Sequence, residues 1–238
     1  MKGIILGGGS GTRLGESTRV TNKHLLAVYD KPMIYHSINT LRNSNLTDIL
    51  LILGGHRIGD MVTLLGDGSH LEVNLTYKVQ RESLGIAHAL SLARDFAGKD
   101  RIAVLLGDNY FEENLREEVI GFNNGAKIFL KETKYPQRFG IAEVKDDKVI
   151  NIEEKPKNPK TNLAVTGLYL YDQKVFDIIK TLKPSHRNEL EITDVNNAYI
   201  INNELNYYVL KGYWGDMGEP DSLLETANFL YKKSKNEL

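Results

Sequence analysis

The chain has 238 residues, with 30 Lys and Arg against 31 Asp and Glu, so its formal net charge at pH 7 is −1. With 41% hydrophobic and 26% charged residues it has the composition of a globular protein, and the near-neutral charge argues against nucleic-acid binding. The absence of cysteine excludes disulfides, thiolate nucleophiles and cysteine-based metal sites. Apolar runs such as residues 49–53 are far shorter than the ~20 residues of a membrane-spanning helix. We therefore expect a cytoplasmic protein that does not associate with membranes.

Short apolar runs alternate with amphipathic stretches along the first half of the chain. Continuous apolar runs predict buried strands at residues 2–6, 48–53, 75–79 and 101–106. Apolar residues at helical spacing predict helices at residues 33–41, 58–65 and 86–96. This alternation is typical of a mostly parallel sheet covered by helices on both faces.

The second half of the chain has a less regular pattern. A hairpin is predicted at residues 141–152, with its turn at Asp146-Asp147, and a long strand at residues 163–171. The remaining predicted elements are helices at 174–182, 191–201 and 221–231 and a strand at 207–210. Because no repeat or linker divides the sequence, we expect one α/β domain over residues 1–238. Its Rossmann-like, mixed but mostly parallel sheet would be flanked by helices.

A glycine-rich run, GGGSGTR at residues 7–13, directly follows the first predicted strand. Glycines allow a tight turn whose N–H groups approach phosphate oxygens, and ligands of open α/β sheets bind at the carboxyl ends of strands. The run lacks the full glycine pattern of a dinucleotide fingerprint and the Lys-Ser/Thr pair of a P-loop. Alone it fits a simple turn equally well, but the nearby cations Arg13 and Lys23 favour a phosphate site.

Motifs along nearly the whole chain resemble one enzyme family. The chain contains, in this order, LGGGSGTRL, NKHLLAVYDKPMIYHSINTL, LGIAHAL, LGDN, RFGIAEV, EEKP, AVTGLYLYD and NELEITDVN. These motifs are similar to those of the sugar-1-phosphate nucleotidyltransferases, and most to members that transfer thymidylyl groups. The resemblance implies a nucleotide-diphospho-sugar transferase fold in a short form without a further C-terminal segment. Its nucleotide-binding part would span about residues 1–110 and its sugar-phosphate-binding part about residues 111–238.

The resemblance also implies a reaction. A thymidylyl group would pass from dTTP to glucose-1-phosphate, forming dTDP-glucose and pyrophosphate with Mg²⁺ as cofactor. Because the sugar phosphate is already an anionic nucleophile, cations and alignment matter more than a general base. UTP or another hexose-1-phosphate stays an alternative, since thymine and uracil differ by one methyl group. We expect a monomer or a small homo-oligomer.

Two alternatives come from other functional classes. The glycine run and the alternating strands and helices would also fit an NAD(P)-binding oxidoreductase, which the incomplete fingerprint disfavours. A regulatory sensor that binds a nucleotide sugar without turnover is disfavoured by the paired candidate metal ligands. The oxidoreductase is disfavoured further because Gly54-Gly55 stands where an acidic residue would be expected at the end of the second strand.

Residue roles are carried over by resemblance, position by position. The expected catalytic residues are Arg13, Lys23, Asp108 and Lys155. The expected nucleotide-binding residues are Gly8, Gly11, Thr12, Arg13, Gln80 and Gly85. The expected sugar-phosphate-binding residues are Asn109, Gly140, Glu154, Lys155, Val165 and Arg187. The expected Mg²⁺ ligands are Asp108 and Asp216.

Some of these assignments depend on the chemistry of the side chain or on its neighbours in the chain. The Gln80 amide can both donate to and accept from a pyrimidine edge. Glu154 and Lys155 are adjacent, and adjacent strand residues point to opposite faces, so both line one pocket only where the strand ends or bulges. Asp216 is followed by Met217, where the resemblance predicts a smaller residue.

Overall fold

The computed structural model describes residues 1–9, 11–55 and 57–237. Its strands are β1 (Lys2–Gly7), β2 (Ala27–Val28), β3 (Lys31–Pro32), β4 (Asp48–Leu53), β5 (Asn74–Val79), β6 (Ile102–Leu106), β7 (Asn109–Phe111), β8 (Ala126–Glu132), β9 (Gly140–Lys145), β10 (Lys148–Glu154), β11 (Leu163–Tyr171), β12 (Leu205–Val209) and β13 (Trp214–Asp216). Its α-helices are α1 (Met33–Asn43), α2 (Ile58–Leu65), α3 (Ile86–Ser91), α4 (Arg94–Ala97), α5 (Arg116–Ile120), α6 (Lys174–Thr181), α7 (Ile192–Ile201) and α8 (Pro220–Ser234). Short 3-10 helices lie at Thr12–Thr18, Lys23–Leu25, Ser69–Leu71 and Pro136–Arg138.

A mixed sheet of nine strands forms the centre of the described structure. Its main order is β10-β9-β11-β6-β1-β4-β5, with β8 paired to β11 and β12 paired to β8. The strands from the first half of the chain, β1, β4, β5 and β6, pair in parallel as predicted. β11 then runs antiparallel to β6, so the second half of the chain extends the sheet mainly with antiparallel pairs, whereas β12 pairs in parallel with β8. The α/β fold class predicted from the sequence is confirmed.

Apolar side chains pack on both faces of this sheet, because the central strands are buried on both sides. One core cluster includes Ile4 and Ile52, and the other includes Ile5 and Leu51. Neighbouring residues in β1 and β4 thus point to opposite faces, as the pleat requires. Side chains of α3, α6 and α7 complete the first cluster, and those of α1 and α2 the second.

The predicted hairpin at residues 141–152 is present, whereas the helix predicted at residues 86–96 is interrupted. The hairpin is confirmed, and its turn residues Asp146 and Asp147 both have positive φ, at 49° and 55°, as a two-residue hairpin turn of type I′ requires. The helix predicted over residues 86–96 is instead divided into α3 and α4. The N–H groups of Leu92 and Ala93 donate to carbonyls three residues back, which tightens the chain and interrupts the α-helix.

A two-stranded ribbon outside the main sheet was not predicted. β7 and β13 pair antiparallel and place Asn109 opposite Asp216. The ribbon therefore joins the chain after β6 to the chain before α8. Among the described helices, none has the length and apolar character needed to cross a bilayer.

Candidate active site

Two adjoining clefts open where β1 and β6 end. The larger has a volume of about 400 Å³ and the smaller about 140 Å³. Predicted site residues that line the larger cleft are Gly8, Arg13, Lys23, Gln80, Gly85, Asp108, Lys155 and Arg187. Those that line the smaller cleft are Arg13, Asp108, Asn109, Gly140, Glu154, Lys155, Val165 and Asp216. Arg13, Asp108 and Lys155 line both clefts, and they therefore mark the junction between them.

The end of the glycine run differs from expectation. Gly11 and Thr12 line neither cleft, and Ser10 lies outside the described residues. Thr12 is exposed at the start of a 3-10 helix, and Gly11 accepts a 2.9 Å hydrogen bond from the Thr18 hydroxyl. The roles of Gly11 and Thr12 in binding the triphosphate stay predictions.

Lys23 and Asp108 form an ion pair at the junction. Lys23 Nζ lies 2.5 Å from Asp108 Oδ2, and the two side chains are only 12% and 11% exposed. Burial opposes ionisation of Asp108, but Lys23, with smaller contributions from His24 and Arg13, lowers its pKa below the ordinary value. Asp108 is therefore ionised at neutral pH, with one oxygen engaged by a cation.

The ribbon brings Asp216 next to this pair. The N–H of Met217 donates to the carbonyl of Asp108 at 2.8 Å. Burial and the charge of Asp108 raise the pKa of Asp216 to about 6. The charges of Arg13 and Arg138 partly offset this effect, and Arg138 Nη2 lies 3.2 Å from Asp216 Oδ2. Asp108 and Asp216 thus form a pair of mutually repelling carboxylates that additional positive charge would stabilise.

The donor set of this pair fits Mg²⁺. Magnesium is commonly bound in proteins by one or two carboxylates, with waters and substrate phosphates completing the octahedron. The described parts of the chain contain no group of three or more His, Asp or Glu side chains that could hold a metal ion. A metal at Asp108 and Asp216 would therefore depend on substrate and water for its other ligands.

The Gln80 side chain lies against Gly8 of the glycine run. Its side chain is 6% exposed, and its Nε2 lies 3.3 Å from His88 Nδ1. A Cβ at Gly8 would lie 2.5 Å from Gln80 Oε1, so a larger residue at position 8 would displace the Gln80 amide. Gly85, further along the same wall, has φ of 98°, a conformation that favours glycine.

Glu154 and Lys155 line the same cleft because the strand stops between them. β10 ends at Glu154, and Lys155 takes a left-handed conformation with φ of 46°. Glu154 Oε2 accepts a 2.6 Å hydrogen bond from the Thr193 hydroxyl. The predicted condition for both side chains to line one cleft, a strand that ends at Glu154 and Lys155, is therefore met.

Arg187 has a different environment from the one expected for a phosphate cation. It lines the larger cleft and lies close to three carboxylates, with contacts of 2.7 Å to Glu191 and 3.3 Å to both Glu154 and Glu189. Its charge is thus already balanced, and its contact with Glu154 Oε1 helps to orient that carboxylate. Its predicted role in binding the sugar phosphate stays a prediction.

Trp214, Arg138 and Glu219 were not assigned to the site from the sequence, although they contact predicted site residues or one another. Trp214 Nε1 donates to Asn109 Oδ1 at 2.7 Å, and Asn109 Nδ2 donates to Asp108 Oδ1 at 3.2 Å. Arg138 and Glu219 form a further ion pair beside them. Arg138 stands at the start of the RFGIAEV motif, which was a signal in the sequence, whereas Glu219 belongs to no quoted motif.

Glycines after β1, two cations and two carboxylates meet where the two clefts adjoin, an arrangement typical of enzymes that act on phosphorylated substrates. The nucleotidyl transferase family model matches residues 2–233. Glucose-1-phosphate thymidylyltransferase of Neisseria meningitidis is 42% identical over 237 residues, covering 97% of this chain and 82% of that relative. The same-named protein of Mycobacterium tuberculosis is 42% identical over 236 residues, covering 97% and 82%.

Solved structures agree with this assignment. A candidate glucose-1-phosphate thymidylyltransferase from Bacillus anthracis superposes with a TM-score of 0.91 at 50% identity, covering 96% of this chain and 94% of that one. A UDP-glucose pyrophosphorylase, at 21% identity and a TM-score of 0.83, shares the fold. The chain belongs to the nucleotidyl transferase family, and it is a nucleotidyltransferase enzyme. This membership decides against the NAD(P)-binding oxidoreductase.

Proposed function

We propose that this chain transfers a thymidylyl group from dTTP to glucose-1-phosphate, forming dTDP-glucose and pyrophosphate with Mg²⁺. The observation that carries the proposal is the junction of the two clefts, where Arg13, Lys23, Asp108 and Asp216 converge. Relatives named glucose-1-phosphate thymidylyltransferase support the choice of nucleotide and sugar.

The larger cleft is proposed to bind the nucleotide, mainly through residues 1–110. Its volume of about 400 Å³ lies within the range of small-molecule sites. Gly8 and the following N–H groups, including those of Gly11 and Thr12, would face the phosphates. Gln80, next to the wall at Gly85, would pair with the N3–H and O4 of thymine, since an amide both donates and accepts.

The smaller cleft is proposed to bind the sugar phosphate, mainly through residues 111–238. Glu154 would accept hydrogen bonds from sugar hydroxyls, and Lys155 would bind the phosphate at the junction. Further contacts would come from Asn109, from backbone groups of Gly140 and Val165, and from Arg187. Because Lys155 lines both clefts, the attacking phosphate would lie next to the nucleotide.

The proposed chemistry needs alignment and charge balance more than proton transfer. An oxygen of the sugar phosphate attacks the α-phosphorus of dTTP, the bond between the α- and β-phosphates breaks, and pyrophosphate leaves. Arg13 and Lys23 would stabilise the negative charge that develops on the leaving group. Mg²⁺, held by Asp108 and Asp216, would neutralise phosphoryl oxygens and help to align them.

A substrate panel tests the proposal. Pyrophosphate release is measured with dTTP, UTP, CTP or ATP, each with glucose-1-phosphate, galactose-1-phosphate or mannose-1-phosphate. We expect the fastest release with dTTP and glucose-1-phosphate, loss of release with EDTA and recovery with excess Mg²⁺. Turnover with UTP but not dTTP would contradict thymidylyl transfer.

A UTP-using enzyme is the second candidate, because Gln80 would meet the same edge in uracil and thymine. A single methyl group in an apolar pocket is worth about 1–3 kcal/mol. Preference for dTTP is therefore expected to be about 10- to 100-fold in kcat/KM rather than absolute. A preference for UTP of that size would favour the second candidate.

A further inference from the structure

Glu219 joins two arginines at the edge of the cleft junction. Its Oε1 lies 3.3 Å from Nη1 of Arg13, and its Oε2 lies 3.1 Å from Nη1 of Arg138. Arg138 in turn contacts Asp216 through Nη2 at 3.2 Å. The Glu219 carboxylate thus connects Arg13, at the end of the glycine run, to Arg138, which precedes β9. Through Arg138 it is also connected to Asp216, a candidate metal ligand.

Arg13 forms a direct ion pair with Glu219, and its charge also acts on Asp216 and Asp108. Its side chain is 56% exposed, so packing restricts it weakly. Its guanidinium lies against the turn before α8, where a Cβ at Gly218 would be 3.0 Å from Nη2. The ion pair with Glu219 holds the guanidinium in this place, between the two clefts.

Arg138 is itself fixed and can serve as an anchor. Its side chain is 24% exposed, and its guanidinium carbon lies 5.5 Å from the centroid of the Phe139 ring. Both terminal nitrogens contact carboxylates, those of Glu219 and Asp216. The charge of Arg138 is therefore balanced within the protein. Arg138 holds one oxygen of Glu219, and Arg13 contacts the other.

We infer that Glu219 is a positioning residue for nucleotidyl transfer, which presents Arg13 to the triphosphate in a preset orientation with Arg138 as the second anchor. Glu219 acts through Arg13 and not on the reacting atoms, while Arg138 holds Glu219 in place. The inference rests on the proposed function, in which Arg13 stabilises the leaving pyrophosphate. It assigns a catalytic consequence to a residue that the sequence motifs did not include.

The Glu219 carboxylate is expected to have two opposing effects on the reaction. Its negative charge repels the triphosphate, which weakens nucleotide binding, whereas its grip on Arg13 aligns the cation with the leaving group. Removal of the charge should therefore lower kcat without raising the KM for dTTP. A merely structural role would not separate kcat from KM in this way.

The first test compares two glutamates near the start of α8. Glu219→Gln keeps the shape of the side chain and removes the charge that pairs with both arginines. Glu225→Gln, at an exposed position in α8, is the matched control. We expect kcat to fall about tenfold in Glu219→Gln, with a KM for dTTP no higher than in the wild type. We expect both constants of Glu225→Gln to stay within about twofold of wild type.

The second test places Glu219→Gln in an Arg13→Ala background, with single-turnover assays at high enzyme concentration. If Glu219 acts through Arg13, the added substitution changes the rate by less than about twofold there. The same tenfold loss in that background would indicate a general defect and would overturn the inference. An unchanged kcat in Glu219→Gln, or a raised KM for dTTP at constant kcat, would also overturn it.

The outcomes separate this inference from the proposed function. Wild-type turnover with an unaffected Glu219→Gln variant would refute the inference alone. Absence of wild-type turnover with every nucleotide tested would refute the proposed function, and the inference with it.

Discussion

Asp108 combines burial, charge and a direct ion pair with Lys23 at 2.5 Å. Asp108→Asn keeps the size of the side chain and removes the charge that would hold a metal. We expect kcat for pyrophosphate release to fall at least about 100-fold. Because Lys23 loses its partner, we also expect the free energy of unfolding in urea to fall by up to about 3 kcal/mol.

Asp95→Asn is the control for that substitution, since the Asp95 side chain is 93% exposed. Its free energy of unfolding should stay within about 0.5 kcal/mol of wild type, with normal activity. Normal turnover in Asp108→Asn would remove Asp108 as a metal ligand.

Lys155 offers a separate test of the smaller cleft. Lys155→Met retains an unbranched side chain without its charge, so a phosphate in this cleft loses a charged hydrogen bond. We expect kcat/KM for glucose-1-phosphate to fall about 10- to 100-fold, the effect of losing about 1.5–3 kcal/mol. The exposed Lys157 gives the control Lys157→Met, with no change expected. A larger effect on the KM for dTTP than for glucose-1-phosphate would contradict the assignment.

At the scale of elements, the link between α3 and the chain before α7 shapes the larger cleft. Leu190 donates its N–H to Leu84 at 2.8 Å and accepts one from Ala87 at 3.1 Å. Gly85 lies between these bonds with φ of 98°, and a Cβ there would be 2.5 Å from the Leu190 carbonyl oxygen. The wall of the cleft is therefore closed by a backbone contact that tolerates no side chain.

Gly85→Ala should strain this link. We expect the free energy of unfolding to fall by about 1–3 kcal/mol and the KM for dTTP to rise. Gly59→Ala, in α2, is the control because a Cβ there meets no atom within 4 Å. That variant should be as stable as wild type or up to about 1 kcal/mol more stable. Equal unfolding curves for the two variants would show that the Gly85 backbone is not constrained.

Elements with strong local signals could be predicted from the sequence. β4, α2 and β11 have the predicted bounds, because their apolar patterns are continuous or periodic and end at turn residues. The hairpin of β9 and β10 follows from the two aspartates in its turn. Most predicted site residues also line the clefts, because they lie at strand ends that a parallel sheet brings together.

Other features could not be predicted because they depend on distant partners. β7 and β13 have three residues each, too few for a periodic signal, and they form only by pairing with one another. β8 was missed although it pairs with β11 and β12. The ion pairs of Arg138 with Asp216 and Glu219 join residues about 80 positions apart, a contact that no local pattern encodes.

At the scale of the whole molecule, acid stability depends on a histidine in the interior. His24 is 0% exposed, and its Nδ1 lies 2.9 Å from Asn22 Oδ1. Burial, with the charge of Lys23, lowers its pKa to about 3. In unfolded chains the His24 imidazole is protonated below pH 6.5, whereas in the folded protein it is protonated only below about pH 3. The contribution to stability is therefore complete above pH 6.5 and is lost as the pH falls.

This linkage should make the metal-free protein about 2 kcal/mol less stable to urea at pH 5 than at pH 7.5 through His24 alone. His24→Gln removes the titrating group and should reduce the pH dependence by that amount. Because other groups titrate in the same range, the difference between wild type and variant is the quantity to compare. Equal pH dependence in both proteins would show that folding does not lower the pKa of His24.

The position of the β7–β13 ribbon has a consequence for inactivation. It lies outside the main sheet and has only three residue pairs, yet it places Asp216 near Asp108. Although Asn109 and Phe111 are buried, the ribbon has fewer residue pairs than the central strands, and we expect it to open at a lower urea concentration than the sheet. Dilute urea should therefore abolish turnover while far-ultraviolet circular dichroism stays constant, and the enzyme would lose its activity as a still largely folded molecule.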